Sequence, residues 1–113
     1  MDLETLTAAM RDFVESKGWI DAGSAKPQSQ RNLAISLVLE AGEVLEHFQW
    51  GEDCADPAAL AEELADVMLY LLQLAEINDV DLGEEVMKKL AKNRGRDWPA
   101  PAISAAAPTA KLE

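Results

Sequence analysis

The sequence predicts an all-α protein built from four helices. Three observations point there. The long segments are aliphatic and Ala-rich, with few β-branched runs. Apolar residues recur three and four positions apart rather than in alternation. Helix-starting Asp residues (Asp2, Asp56 before Pro57, Asp81) and helix-stopping Gly residues (Gly18, Gly95) punctuate the pattern. At 113 residues the chain makes one domain with room for a modest core. That domain is expected over residues 1–99, followed by a disordered Ala/Pro-rich tail over 100–113.

The first helix is expected from Leu3 to Lys17, with Asp2 as its cap. Leu3, Leu6, Met10, Phe13 and Val14 supply its apolar face, and Gly18 ends it. Trp19, Ile20 and a polar loop to Ser29 follow. The second helix is expected from Gln30 to Gln49. At about 100° per residue, Asn32, Ser36, Glu40, Glu43, His47 and Trp50 fall into one stripe. Leu33, Leu37, Val44 and Phe48 border that stripe on one side, Ile35 and Leu39 on the other. An ordinary solvated face is not bordered in this way.

Asp56-Pro57 starts the third helix, expected to reach Ile77, with Glu63, Asp66, Tyr70 and Gln73 on one stripe. The rest of its second half is apolar nearly all round. A chain of this size struggles to cover such a helix alone, so self-association is expected. Asp81-Leu82-Gly83-Glu84 reads as a capping box for a fourth helix, Leu82 to Arg94.

The net charge of −11 disfavours nucleic acid and anionic membranes as partners. The longest apolar run is far short of a membrane span. Met1-Asp2-Leu3-Glu4 lacks the basic and apolar regions of a signal peptide, and Cys54 is the only cysteine, so a cytoplasmic protein is expected. The cations cluster: Lys88, Lys89, Lys92, Arg94 and Arg96. They either complement the helix macrodipole or meet phosphate.

Two carboxylate pairs carry the chemistry. Glu40 and Glu43, then Glu63 and Asp66, are each three residues apart, side by side on a helix face. Bare charges on apolar faces are costly to bury, so a cation is expected among them. An oxygen-only set suits Mg²⁺, with Mn²⁺ as a substitute. Zinc is a poor fit without a His/Cys cluster. A di-iron bundle wants Glu-x-x-His, whereas Glu43 and Asp66 stand at those positions. His47 reads as a supporting or surface group, and Cys54 has no basic neighbour to activate it.

On these residues the sequence resembles the all-α nucleoside triphosphate pyrophosphohydrolases, the MazG-like superfamily, and most of all their dCTP pyrophosphatase branch. Arg31-Asn32-Leu33, Glu40 to Trp50, Glu63 to Leu71, Val80-Asp81-Leu82, Lys89 and Asn93-Arg94-x-Arg96 carry the resemblance. It implies a four-helix MazG-like bundle working as a homodimer or dimer of dimers. It implies Mg²⁺-dependent cleavage of a nucleoside triphosphate, dCTP or a modified pyrimidine, to monophosphate and pyrophosphate. Glu40, Glu43, Glu63 and Asp66 would hold the metal and serve catalysis. Trp19, Asn32, Trp50, Tyr70 and Asn93 would contact the nucleotide; Lys89, Lys92, Arg94 and Arg96 would meet phosphate. The match departs at Gln28-Ser29-Gln30, where the branch carries His-Gln-Pro, so base preference stays open: a dUTPase-like or broad-specificity hydrolase is the alternative. From another class, the rival is a non-enzymatic helical oligomerisation module, in which the acids are incidental.

Overall fold

The computed structural model describes residues 1–19, 23 and 28–96. It contains four helices: α1 (Leu3–Ser16), α2 (Gln30–Glu46), α3 (Pro57–Ile77) and α4 (Leu82–Arg94). No strand occurs among the described residues. The tail expected at 100–113 and the stretch Trp98-Pro99 lie outside them.

Each helix begins on a side-chain cap. Asp2 accepts from the Thr5 N–H at 2.8 Å, Asp56 from Ala59 at 3.1 Å and Asp81 from Glu84 at 3.0 Å. Ser29 does the same for α2, accepting from Asn32 at 3.1 Å. Each such bond satisfies a donor that a helix start leaves open. Only half of the expected capping box forms, because the Glu84 carboxylate turns outward to Lys88 instead.

The helix ends show how the chain turns. At the end of α3 the Val80 N–H reaches the Ala75 carbonyl (2.9 Å) and the Asp79 N–H reaches Glu76 (3.2 Å). These are the paired bonds of a Schellman motif, and they place Asp79 at φ 53°. Asp is one of the few side chains that tolerate this left-handed conformation. The second helix corrects the sequence expectation: it stops at Glu46, not Gln49. The N–H groups of Phe48 and Gln49 bond three residues back, to Leu45 and Glu46. The last turn tightens, a common end for a helix and one that apolar spacing cannot reveal.

The core forms where α1 crosses α3. Met10, Val14 and Leu72 are buried, with Leu3, Leu6, Trp19, Met68 and Leu82 packed against them. The Arg11 guanidinium pairs with Glu76 along the same seam. The second helix lies along α3 and buries Leu33. The fourth helix touches the rest chiefly at its start. A Cβ at Gly83 would stand 3.3 Å from a Leu3 methyl, so a small residue there lets α4 approach α1. Beyond that start, Val86, Met87 and Leu90 are exposed, as are Val38, Leu39 and Leu45 on α2. No helix among the described residues is long and apolar enough to cross a membrane.

Candidate functional site

The pairing of α2 with α3 brings Glu40, Glu43 and Glu63 together. One oxygen from each lies within 4.8 Å of the other two. Glu40 and Glu63 are half-buried and Glu43 is exposed. Glu40 Oε2 and Glu63 Oε2 are buried and have no hydrogen-bond partner among the described residues. Oxygens placed like this are costly unless something cationic or protic meets them. The carboxyl of Glu43, desolvation and the neighbouring negative charges push Glu40 up to about 7. The same carboxyl of Glu43, then desolvation, raises Glu63.

Asp66 stands apart from that trio. Its charge still acts on both Glu40 and Glu63, while it also lines a neighbouring pocket. Two carboxylates one helical turn apart therefore face two adjacent spaces. The donor set is oxygen only, crowded, and short of positive charge. It fits a hard divalent cation better than zinc or a di-iron pair.

The neighbouring pocket, about 380 Å³, has walls from three helices. Met10, Phe13 and Val14 come from α1, Asn32, Leu33 and Ser36 from α2, and Asp66, Leu69, Tyr70 and Gln73 from α3. Trp19 closes one side, its ring edge-on to Phe13 with centroids 5.5 Å apart. Of the expected contact residues, Trp19, Asn32 and Tyr70 thus gather here beside the acids. Flat rings beside a cleft of mixed apolar and polar lining suit a planar ligand with polar edges.

The other expected contacts lie elsewhere. Trp50 is 91% exposed and borders a groove lined by Glu46, His47, Asp53 and Asp56. Lys89 and Arg94 are exposed on α4, Asn93 is half-buried there, and Arg96 is exposed just beyond it. None of these five is among the described residues lining the aromatic pocket.

Two residues gain importance from the fold. His47, at the end of α2, shares a groove with Glu43, Glu46 and Glu63. Gln73 is buried on α3 and donates from Nε2 to Gln28 Oε1 at 2.7 Å across the pocket wall. A signal for Gln73 was present in the sequence: it is a polar residue on the Asp66–Tyr70 stripe of an otherwise apolar half-helix.

Comparison with known proteins gives the arrangement its relatives. Residues 35–102 match the MazG-like family. The chain is 38% identical over 104 residues to dCTP pyrophosphatase 1 of Rattus norvegicus, covering 83% of this chain and 58% of the relative. It is 37% identical over 108 residues to dCTP pyrophosphatase 1 of Homo sapiens, covering 87% of this chain and 59% of that protein. The chain thus spans a little over half the length of these curated relatives. A solved pyrophosphatase from Archaeoglobus fulgidus superposes with a TM-score of 0.70 at 33% identity, covering 81% of this chain and 88% of that one. Helix order, the carboxylates where α2 meets α3, and these similarities agree: the chain belongs to the MazG-like family.

Proposed function

We propose that this protein is a Mg²⁺-dependent nucleoside triphosphate pyrophosphohydrolase acting on dCTP or a related pyrimidine triphosphate. One observation carries the reading: unpartnered buried oxygens of Glu40 and Glu63 lie beside an aromatic pocket that Asp66 also lines. The relatives named dCTP pyrophosphatase 1 support the substrate class.

Glu40, Glu43, Glu63 and Asp66 would hold the metal. When bound, Mg²⁺ neutralises triphosphate oxygens and favours attack by water. Trp19 and Tyr70 would hold the base, which sets the triphosphate's reacting end beside the cluster where α2 meets α3. Water adds to the α-phosphorus, the bond from that phosphorus to the bridging oxygen breaks, and pyrophosphate leaves. The water's proton passes to a carboxylate of the cluster.

The exposed apolar residues of α2 and α4 support self-association into a homodimer or a dimer of dimers. In such an assembly Lys89, Asn93, Arg94 and Arg96 of one subunit would reach the triphosphate of another. Trp50, which does not line its own chain's aromatic pocket, fits the same role.

The test is pyrophosphate release from a panel of deoxynucleoside and ribonucleoside triphosphates, with Mg²⁺ and with chelator. Release that needs Mg²⁺ and falls by roughly 10²-fold or more in Glu63→Gln is expected. Unchanged release in Glu63→Gln combined with Asp66→Asn would overturn the reading.

A further inference from the structure

The acid cluster has a cavity on each side of it along α2 and α3. The aromatic pocket takes Asn32, Leu33 and Ser36 from α2 and the residues from Asp66 to Gln73 that line it from α3. A second groove, about 290 Å³, is lined by Glu43, Glu46, His47 and Glu63. Going up in number along α2 and down along α3, the order is pocket, cluster, groove. We infer that this groove receives the two terminal phosphates of the triphosphate, which leave as pyrophosphate, and that the His47 imidazole donates a hydrogen bond to them.

The order of the cavities sets the direction. Ser36, Glu40, Glu43 and His47 fall within one narrow arc of α2, with about 6 Å of rise between Ser36 and Glu40 and again between Glu43 and His47. A base in the pocket and a reacting phosphorus at the cluster leave the rest of the chain to run on past Glu43. What it meets there is decided by the lining. Three of the four side chains are carboxylates, which offer only acceptors when ionised. His47 is the one donor among them, and its ring carries an N–H whether neutral or charged. The backbone N–H of His47 caps α2 by bonding to Val44 and Leu45, which fixes the residue at the helix end. Its half-buried imidazole has no hydrogen-bond partner among the described residues, so the donor is uncommitted. The negative end of the α2 dipole and the three acids make the groove hostile to a bare anion. Entry of phosphate there therefore needs both the divalent cation and the imidazole.

The inference deepens the proposed activity and rests on it for the position of the base. Its test is calorimetry of pyrophosphate and of dCMP binding to the full chain, with Mg²⁺ and with chelator. His47→Leu is expected to weaken pyrophosphate by roughly tenfold or more and to leave dCMP and the melting temperature unchanged. His47→Gln, which keeps an N–H donor, is expected to recover most of the loss. His47→Ala gives the same comparison if His47→Leu does not fold. Unchanged pyrophosphate affinity in His47→Leu overturns the inference. So does an equal loss on dCMP, or pyrophosphate binding that persists undiminished in chelator. Should pyrophosphate binding depend on His47 while no triphosphate is cleaved, the hydrolase reading falls and the groove stands as a diphosphate site. Should triphosphates be cleaved with Mg²⁺ while His47→Leu binds pyrophosphate as the wild type does, the hydrolase reading stands and this inference falls.

Discussion

Glu40 on α2 and Glu63 on α3 each hold a buried carboxylate oxygen that no hydrogen bond among the described residues satisfies, in a cluster completed by Glu43. Two helices are thus packed together at a point where their charges repel. Burial elsewhere along α2 and α3, with Leu33 fully buried and Leu72 nearly so, offsets this cost. The repulsion defines what a cation would gain by entering.

Metal binding should therefore show as stability. A ligand at about 100 times its dissociation constant adds about 2.7 kcal/mol. In a domain near this size that raises the melting temperature by roughly 10 °C. Differential scanning fluorimetry with and without Mg²⁺ checks it. Glu40→Gln should raise the melting temperature of the metal-free protein and abolish most of the Mg²⁺ response.

The pH dependence of the metal-free protein should run opposite to that of a protein held by ion pairs. Glu40 sits at about 7 in the folded chain, against 4.5 for an ordinary glutamate. The folded state therefore keeps a proton that the unfolded state loses in that window. The favourable contribution is complete below about 4.5 and is lost as pH rises to about 7. Glu63, also raised, adds in the same direction. Glu76, lowered by Arg11, works the other way, losing its contribution as pH falls below the ordinary carboxylate range. Urea midpoints measured across pH 4 to 8 in chelator should decline toward neutrality, and Mg²⁺ should flatten the decline.

The α1–α3 seam should depend on packing far more than on its ion pair. Leu72 is 2% exposed at the centre of the core. Leu72→Ala should cost about 2–5 kcal/mol by denaturant titration. Arg11 and Glu76 are solvent-accessible, so Arg11→Ala should cost less than about 1 kcal/mol.

Self-association should depend on the outer face of α4. Met87 is 60% exposed beside Val86 and Leu90. Met87→Glu is expected to lower the mass seen by light scattering toward that of one chain, and to leave helix content unchanged. A wild type that already runs as one chain would overturn the assembly proposed above.

The helix frame was legible because its signals are local. Asp2, Asp56 and Asp81 cap as their positions suggest, and the bounds of α3 and α4 agree with the apolar pattern. The close approach of Glu40, Glu43 and Glu63 was legible as spacing on two helices, since the i,i+3 pairs could meet only if the helices lie side by side. The split role of Asp66 was not. It depends on how α3 is rotated against α2, which spacing leaves free. Nor could the sequence reveal that α4 stands off from the pocket, because its basic residues look the same whether they face their own chain or another. The Gln28–Gln73 contact joins a loop to a helix and has no periodic signal at all.

The three walls of the pocket are unequal. The second and third helices carry both the acidic cluster and part of the pocket, whereas α1 contributes Met10, Phe13 and Val14 and no member of the cluster. Changes to the first helix can thus reshape what fits without moving a single carboxylate. Selection for a new ligand has a route here that leaves the chemistry in place, and Phe13, half exposed and edge-on to Trp19, is where that route is least obstructed by the core.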